Sequence, residues 1–214
     1  MKPDATASPY STGDAGPLHE LNAVALRYLI TMARDPQASG GPCLVQRLRE
    51  RLALLTAADC ERIARAPICL VDAGFGQEEH WKAITRSPAP PDVPSEEAFA
   101  PEVARALSRT ILNLAWTSAR TEPVIARIRF GMTRQTAQIV AGLGIHQIQQ
   151  IAETHFHSLR PLWAEQLGFW QYLVAAAAAP SPKLPPVHIR LMQRRLADLL
   201  PATAASPRTP SSRP

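Results

Sequence analysis

Residues 86–101, RSPAPPDVPSEEAFAP, hold five prolines. Proline has a fixed φ and no amide hydrogen, so such a stretch can neither continue a helix nor sit inside a sheet. It reads as a linker or long loop. The chain is thereby divided into two blocks, 18–85 and 102–179, and both carry apolar residues at helical spacing. In LHELNAVALRYLITMAR (18–34) the stripe is Leu18, Leu21, Val24, Ala25, Tyr28, Leu29 and Met32. In CLVQRLRERLALL (43–55) it is Leu44, Leu48, Leu52 and Leu55. Thr56, with Asp59 three residues on, has the pattern of a capping box before AADCERIAR. ICLVDAG reads as extended. EVARALSRTILNLAWTSAR (102–120) is a long helix, and PVIARIRFG follows it. Period-two runs of β-branched residues are missing, as are Asn-Gly and Asp-Gly turns. The expected fold is all-α, a helical bundle.

Outside these blocks, residues 1–17 and 201–214 have the Pro/Ser/Thr-rich composition of disordered tails. Residues 180–200 form a proline hinge followed by VHIRLMQRRLADLL, an amphipathic basic helix with Arg190 and Arg194 towards solvent. The N-terminus lacks the apolar run of a signal peptide. LWAEQLGFWQYLVAAAAA (162–179) is alanine-rich and broken by Glu165, Gln166 and Gln171, which suits a buried helix rather than a membrane span. Three cysteines, Cys43, Cys60 and Cys69, without a CxxC pair are expected to be reduced thiols in a cytoplasmic protein. The net charge of +5 comes almost wholly from arginine, which permits nucleic-acid binding without demanding it.

The two blocks echo one another. Leu-Asn occurs at Leu21-Asn22 and at Leu112-Asn113. Leu55, Ile63, Ala64 and Leu70 run parallel to Leu143, Ile151, Ala152 and Leu159. A real repeat would pack as a pseudo-dimer within one chain.

RFGMTRQTAQIVAGLGIHQIQQIAETHF (129–156) holds the densest functional signal. Thr133 can cap a helix that ends at Gly142, and after Leu143-Gly144 a second helix runs from Ile145. Its inner face is Ile145, Ile148, Ile151, Ala152 and His155 or Phe156. Its outer face is His146, Gln147, Gln149, Gln150 and Glu153. Two helices joined by a short glycine-containing turn make a helix-turn-helix-like pair whose second helix is the natural reader. Glutamine can pair with an adenine edge, and His146 can donate. Arg127, Arg129 and Arg134 could hold phosphates. Against DNA contact, this helix has no Arg or Lys, Glu153 would repel the backbone, and Gln138 sits where such motifs want a small residue. A helical protein interface therefore stays open beside it.

Segment 111–154, with LNLAW, IRFGM and a helix pair closing on QIAET, resembles the FlhD family, partners of FlhC in a flagellar master regulator. The resemblance falls on Asn113, Arg129-Gly131-Met132 and Ile151-Ala152-Glu153-Thr154, and more faintly on 21–70. It implies a transcriptional regulator subunit that binds double-stranded promoter DNA in a hetero-oligomer with an FlhC-like, zinc-containing partner and acts on RNA polymerase. Related pairs control transfer of conjugative elements, so flagellar genes specifically are not implied. The family's intersubunit disulfide does not carry over, since the second block has no cysteine.

No catalytic framework emerges: a Gly-rich phosphate cradle, a nucleophile elbow and paired carboxylates are all lacking. The expectation is a non-enzyme with no cofactor. His155 and His157 face apart along a helix, so no metal site is expected there. Trp163, Phe169, Trp170, Arg190 and Arg194 are candidates for a partner interface. The rival to the regulator is a helical adaptor or chaperone-like protein that does not bind DNA.

Overall fold

The computed structural model describes residues 16–36, 42–86 and 98–179. The linker core, both tails and the basic segment with Arg190 and Arg194 lie outside the described residues. Among the described residues the chain is helical, as expected. Its first half comprises α1 (Pro17–Arg34), α2 (Cys43–Ala53), α3 (Ala57–Ala64), β1 (Val71–Asp72) and α4 (Glu78–Arg86). The second comprises α5 (Pro101–Thr121), α6 (Pro123–Phe130), α7 (Arg134–Gly142) and α8 (Ile145–Thr154). A 3-10 turn (Phe156–Ser158), β2 (Arg160–Pro161) and α9 (Leu167–Ala178) complete it. No described helix is long and apolar enough to cross a membrane.

Helices α1, α5 and α6 each carry proline in the first turn. Prolines that end a helix from outside also start one from within, because the first-turn N–H has no intrahelical acceptor to lose. PVIARIRFG is therefore itself a helix. It stops at Gly131, whose φ of 67° is the left-handed conformation that glycine adopts without a Cβ clash. At α3 the Thr56 hydroxyl accepts from the Asp59 N–H, and the Asp59 carboxylate accepts from the Thr56 N–H at 2.8 Å. Arg62 pairs with the same carboxylate. The Thr56 hydroxyl and backbone, helped by Arg62, hold Asp59 below its ordinary carboxylate range.

Read in order, the halves repeat an α-α-α-β-α pattern, with α6 as an insertion. The order of elements thus echoes between the halves, and the halves are interlocked. Helix α1 packs on α5, α9 reaches back onto α2 and α3, and α4 crosses to α7. β1 and β2 pair antiparallel, Val71 with Pro161 and Asp72 with Arg160. Equivalent positions are occupied by different chemistry. The Leu55 carbonyl accepts from Arg34 Nη2 at 2.8 Å, and the Leu143 carbonyl from Trp116 Nε1 at 2.9 Å.

The Leu-Asn echo does not mark equivalent sites. Asn22 is fully buried, whereas Asn113 is exposed. The Asn22 amide donates to the carbonyls of Ala64, Ala66 and Ile68, and its carbonyl oxygen accepts from the Leu70 N–H at 2.8 Å. One side chain thereby satisfies the non-helical segment leaving α3, whose backbone groups would otherwise be buried unpaired. The stripe on α1 shifts accordingly. Its buried face is Leu21, Asn22, Ala25, Leu26, Leu29, Ile30 and Ala33, with Val24 turned to solvent.

The seam between the halves is aromatic and imidazole-rich. Phe75 stacks on Trp81 and meets Phe130 edge-on. His80 of α4 meets His155, the residue that ends α8, with ring centroids 6.3 Å apart. His155 is buried, and neither ring nitrogen has a hydrogen-bond partner among the described residues. Burial, then the neighbouring His80 and His157, push its pKa below the ordinary imidazole value. Burial lowers His80 as well, against the pull of Asp72. Groups whose folded pKa is depressed stabilise fully above the unfolded value, about 6.5, and lose that contribution as pH falls below it. Chemical denaturation at pH 7.5 and pH 5.0 is expected to show lower stability at pH 5.0. His155→Phe should remove much of the difference. A profile unchanged by that substitution would assign the acid sensitivity elsewhere.

Candidate functional site

The helix pair expected in the second half is present. Thr133 caps α7 by accepting from the Thr136 N–H at 3.0 Å, and Leu143-Gly144 joins α7 to α8. The two helices each lie on α5 more extensively than on each other, so α5 is the platform that orients both. Gln147, at the third position of α8, accepts from the Gly144 N–H at 2.8 Å through its side-chain oxygen. It thereby plays the part that Asp59 plays in α3. Gln147 is thus a capping residue as well as an outward one, and a Gln147→Ala effect on any ligand would carry a folding component.

On α8, Ile148, Ile151 and Ala152 are buried against α5. His146, Gln147, Gln149, Gln150 and Glu153 are exposed on the opposite side. Ile145, expected inside, is 40% exposed. Arg134 is exposed at the start of α7. Arg127 and Arg129 belong to α6, which packs on α5 and α7 rather than being carried by the helix pair. Arg127 is partly buried, and Arg129 offers its carbonyl to the Cys69 N–H across the seam at 2.7 Å.

The second half places other arginines beside α8. Arg105, Arg109, Asn113, Trp116 and Arg120 recur at helical spacing along the edge of α5. Arg109 pairs with Glu153, holding that carboxylate below its ordinary range. The charge expected to repel a phosphate backbone is therefore compensated. Arg109, Asn113, Ile148, Gln149, Ala152 and Glu153 line a shallow groove of about 320 Å³ between the helices. At its two ends, the Arg105 guanidinium lies 4.4 Å from the centre of the Phe156 ring and that of Arg120 4.8 Å from Trp116. Stacking on an aromatic face restricts a long side chain that would otherwise lose rotamer entropy on binding. From Pro101 to Arg160 the chain has seven arginines, three glutamates, and no aspartate or lysine. The sequence reading missed Arg105, Arg109 and Arg120 because they lie 25 to 40 residues before α8. Their i, i+4 and i+15 spacing on α5 was the available signal.

The proposed partner surface around α9 is corrected in part. Trp170 is 1% exposed and donates from Nε1 to the Leu162 carbonyl at 2.7 Å, and Phe169 is likewise buried. Both are core residues, since α9 packs back onto α2 and α3 with its aromatic side inward. Trp163 is half-buried beside Phe169, at a left-handed φ of 50°. Of the thiols, Cys43 is exposed, Cys60 half-buried and Cys69 buried; none is paired. Burial pushes the Cys69 thiol up to about 12, where it carries no thiolate at neutral pH. No described group of three His, Cys, Asp or Glu side chains could hold a metal ion.

Comparison with protein-family models, with curated proteins and with solved structures gave no match. The likeness to the FlhD family thus rests on the residues quoted for it.

Proposed function

We propose that this chain is a transcriptional regulator subunit that reads promoter DNA with α8, alongside a partner subunit of FlhC type. The observation that carries this reading is the composition of one continuous surface. An uncharged hydrogen-bonding face on α8, formed by His146, Gln149 and Gln150, is bordered by the arginine edge of α5. Amide side chains suit base edges, and arginines suit phosphates. The reading is of a binding protein rather than an enzyme.

The test is in vitro selection of duplex DNA from a random pool by the full chain, with and without its co-purifying partner. The wild type is expected to enrich a defined motif. A His146→Ala, Gln149→Ala, Gln150→Ala variant should lose the motif while keeping salt-dependent binding, because each bidentate base contact contributes about 1–3 kcal/mol of discrimination. Failure to enrich any sequence, alone or with the partner, would favour the second reading. That reading is a helical adaptor without DNA contact. Its support is three large apolar side chains turned to solvent, Leu54, Val124 and Ile145 at 81%, 62% and 40% exposure.

A further inference from the structure

A pseudo-dimer with two helix pairs invites the expectation of two readers, spaced like the half-sites of a palindrome about 34 Å apart. The two faces are built differently. In the first half, α9 lies across α3, and Arg62 Nε donates to the Ala177 carbonyl at 2.8 Å. In the second half α4, the counterpart of α9, packs on α7 as α9 packs on α2, but lies far less against α8, the counterpart of α3; its His80 meets His155, the residue that follows α8. The reader position is therefore covered in one half and open in the other.

Charge follows the same division. The groove between α1 and α3 is lined by Glu20 and Glu61 as well as Arg27 and Arg34, with the buried Ile30 and the exposed Val24 beside them. Arg34 is committed to the carbonyls of Ala53 and Leu55, and Arg65 to Glu61. On the α5–α8 side, Arg105 and Arg120 make no ion pair among the described residues and are held by rings. Fifteen residues of helix separate them, about 22 Å along the axis. That span lets two arginines straddle a major groove about 12 Å wide and reach the phosphates on both its edges.

We propose that the chain is one-sided towards DNA. One chain grips a single major groove, with α8 against the bases and Arg105 and Arg120 on the flanking phosphates, while the α1–α3 face does not meet the duplex. This deepens the DNA reading above and rests on it. The bound site would be a single asymmetric half-site for each chain, not a palindrome.

The test measures the affinity of the full chain for a random-sequence 20-base-pair duplex between 50 and 200 mM salt. Three proteins are compared, each checked for an unchanged circular dichroism melt: wild type, Arg105→Ala plus Arg120→Ala, and Arg27→Ala plus Arg65→Ala. Each phosphate contact adds about 0.9 to the slope of log affinity against log salt. The first pair should lower the slope by nearly two, leaving affinity roughly tenfold less sensitive to salt across that range. The second pair should leave it unchanged. Equal losses from both pairs would overturn one-sidedness, and no loss from the first pair would overturn the arginine anchors while DNA binding stands. A wild type that does not bind the duplex would overturn this inference and the proposed function together.

Discussion

Asn22→Ala is expected to destabilise the chain by about 3 kcal/mol or more. The substitution leaves the Leu70 N–H without its acceptor and three carbonyls competing for no donor, all in the core. Each buried group stripped of its partner costs roughly 1–3 kcal/mol, and relaxation recovers only part of the total. For a protein of this length the loss corresponds to a fall in melting temperature of about 6–12 °C. Asn22→Asp should be worse at neutral pH, since a carboxylate oxygen would face the carbonyls of Ala64, Ala66 and Ile68. Asn113→Ala provides the internal control. That residue is exposed on α5, so its loss should stay within about 0.5 kcal/mol. Equal effects at Asn22 and Asn113, read by urea denaturation, would mean that the two Leu-Asn pairs are structurally equivalent after all.

Trp170→Ala is expected to cost about 3–5 kcal/mol, the usual range for removing a buried aromatic side chain. Trp170 is almost wholly enclosed, meets Phe169 edge-on and closes a hydrogen bond to Leu162. Trp170→Phe keeps most of the packing and removes only the indole donor, so roughly 1–2 kcal/mol should be lost. The pair of variants also tests the assignment of this residue. A docking residue would leave the isolated chain as stable as before and weaken only a complex. A core residue lowers stability in the isolated chain, and denaturation of that chain alone decides between them.

Much of this molecule follows from local pattern. Leu44, Leu48, Leu52 and Leu55 are all buried, as their spacing requires. Thr56 and Thr133 start the helices they were expected to start, because a side-chain oxygen at that position accepts an N–H two or three residues on. The polar face of α8, from His146 to Glu153, is legible for the same reason: helical periodicity separates it from Ile148 and Ile151. What lay outside the reach of sequence is every feature made by residues distant along the chain. Asn22 meets the segment from Ala64 to Leu70, His80 meets His155, and Arg109 meets Glu153. Tertiary packing also decided which candidates were surface at all. Phe169 and Trp170 carry the composition of a docking patch, yet α9 crosses to the other half and buries them. Helices, their starts and the chemistry of their faces follow from local pattern, since these depend on backbone hydrogen bonding and side-chain period within a few turns. Which half is covered and which is open follows from long-range packing, because it depends on where α4 and α9 come to rest.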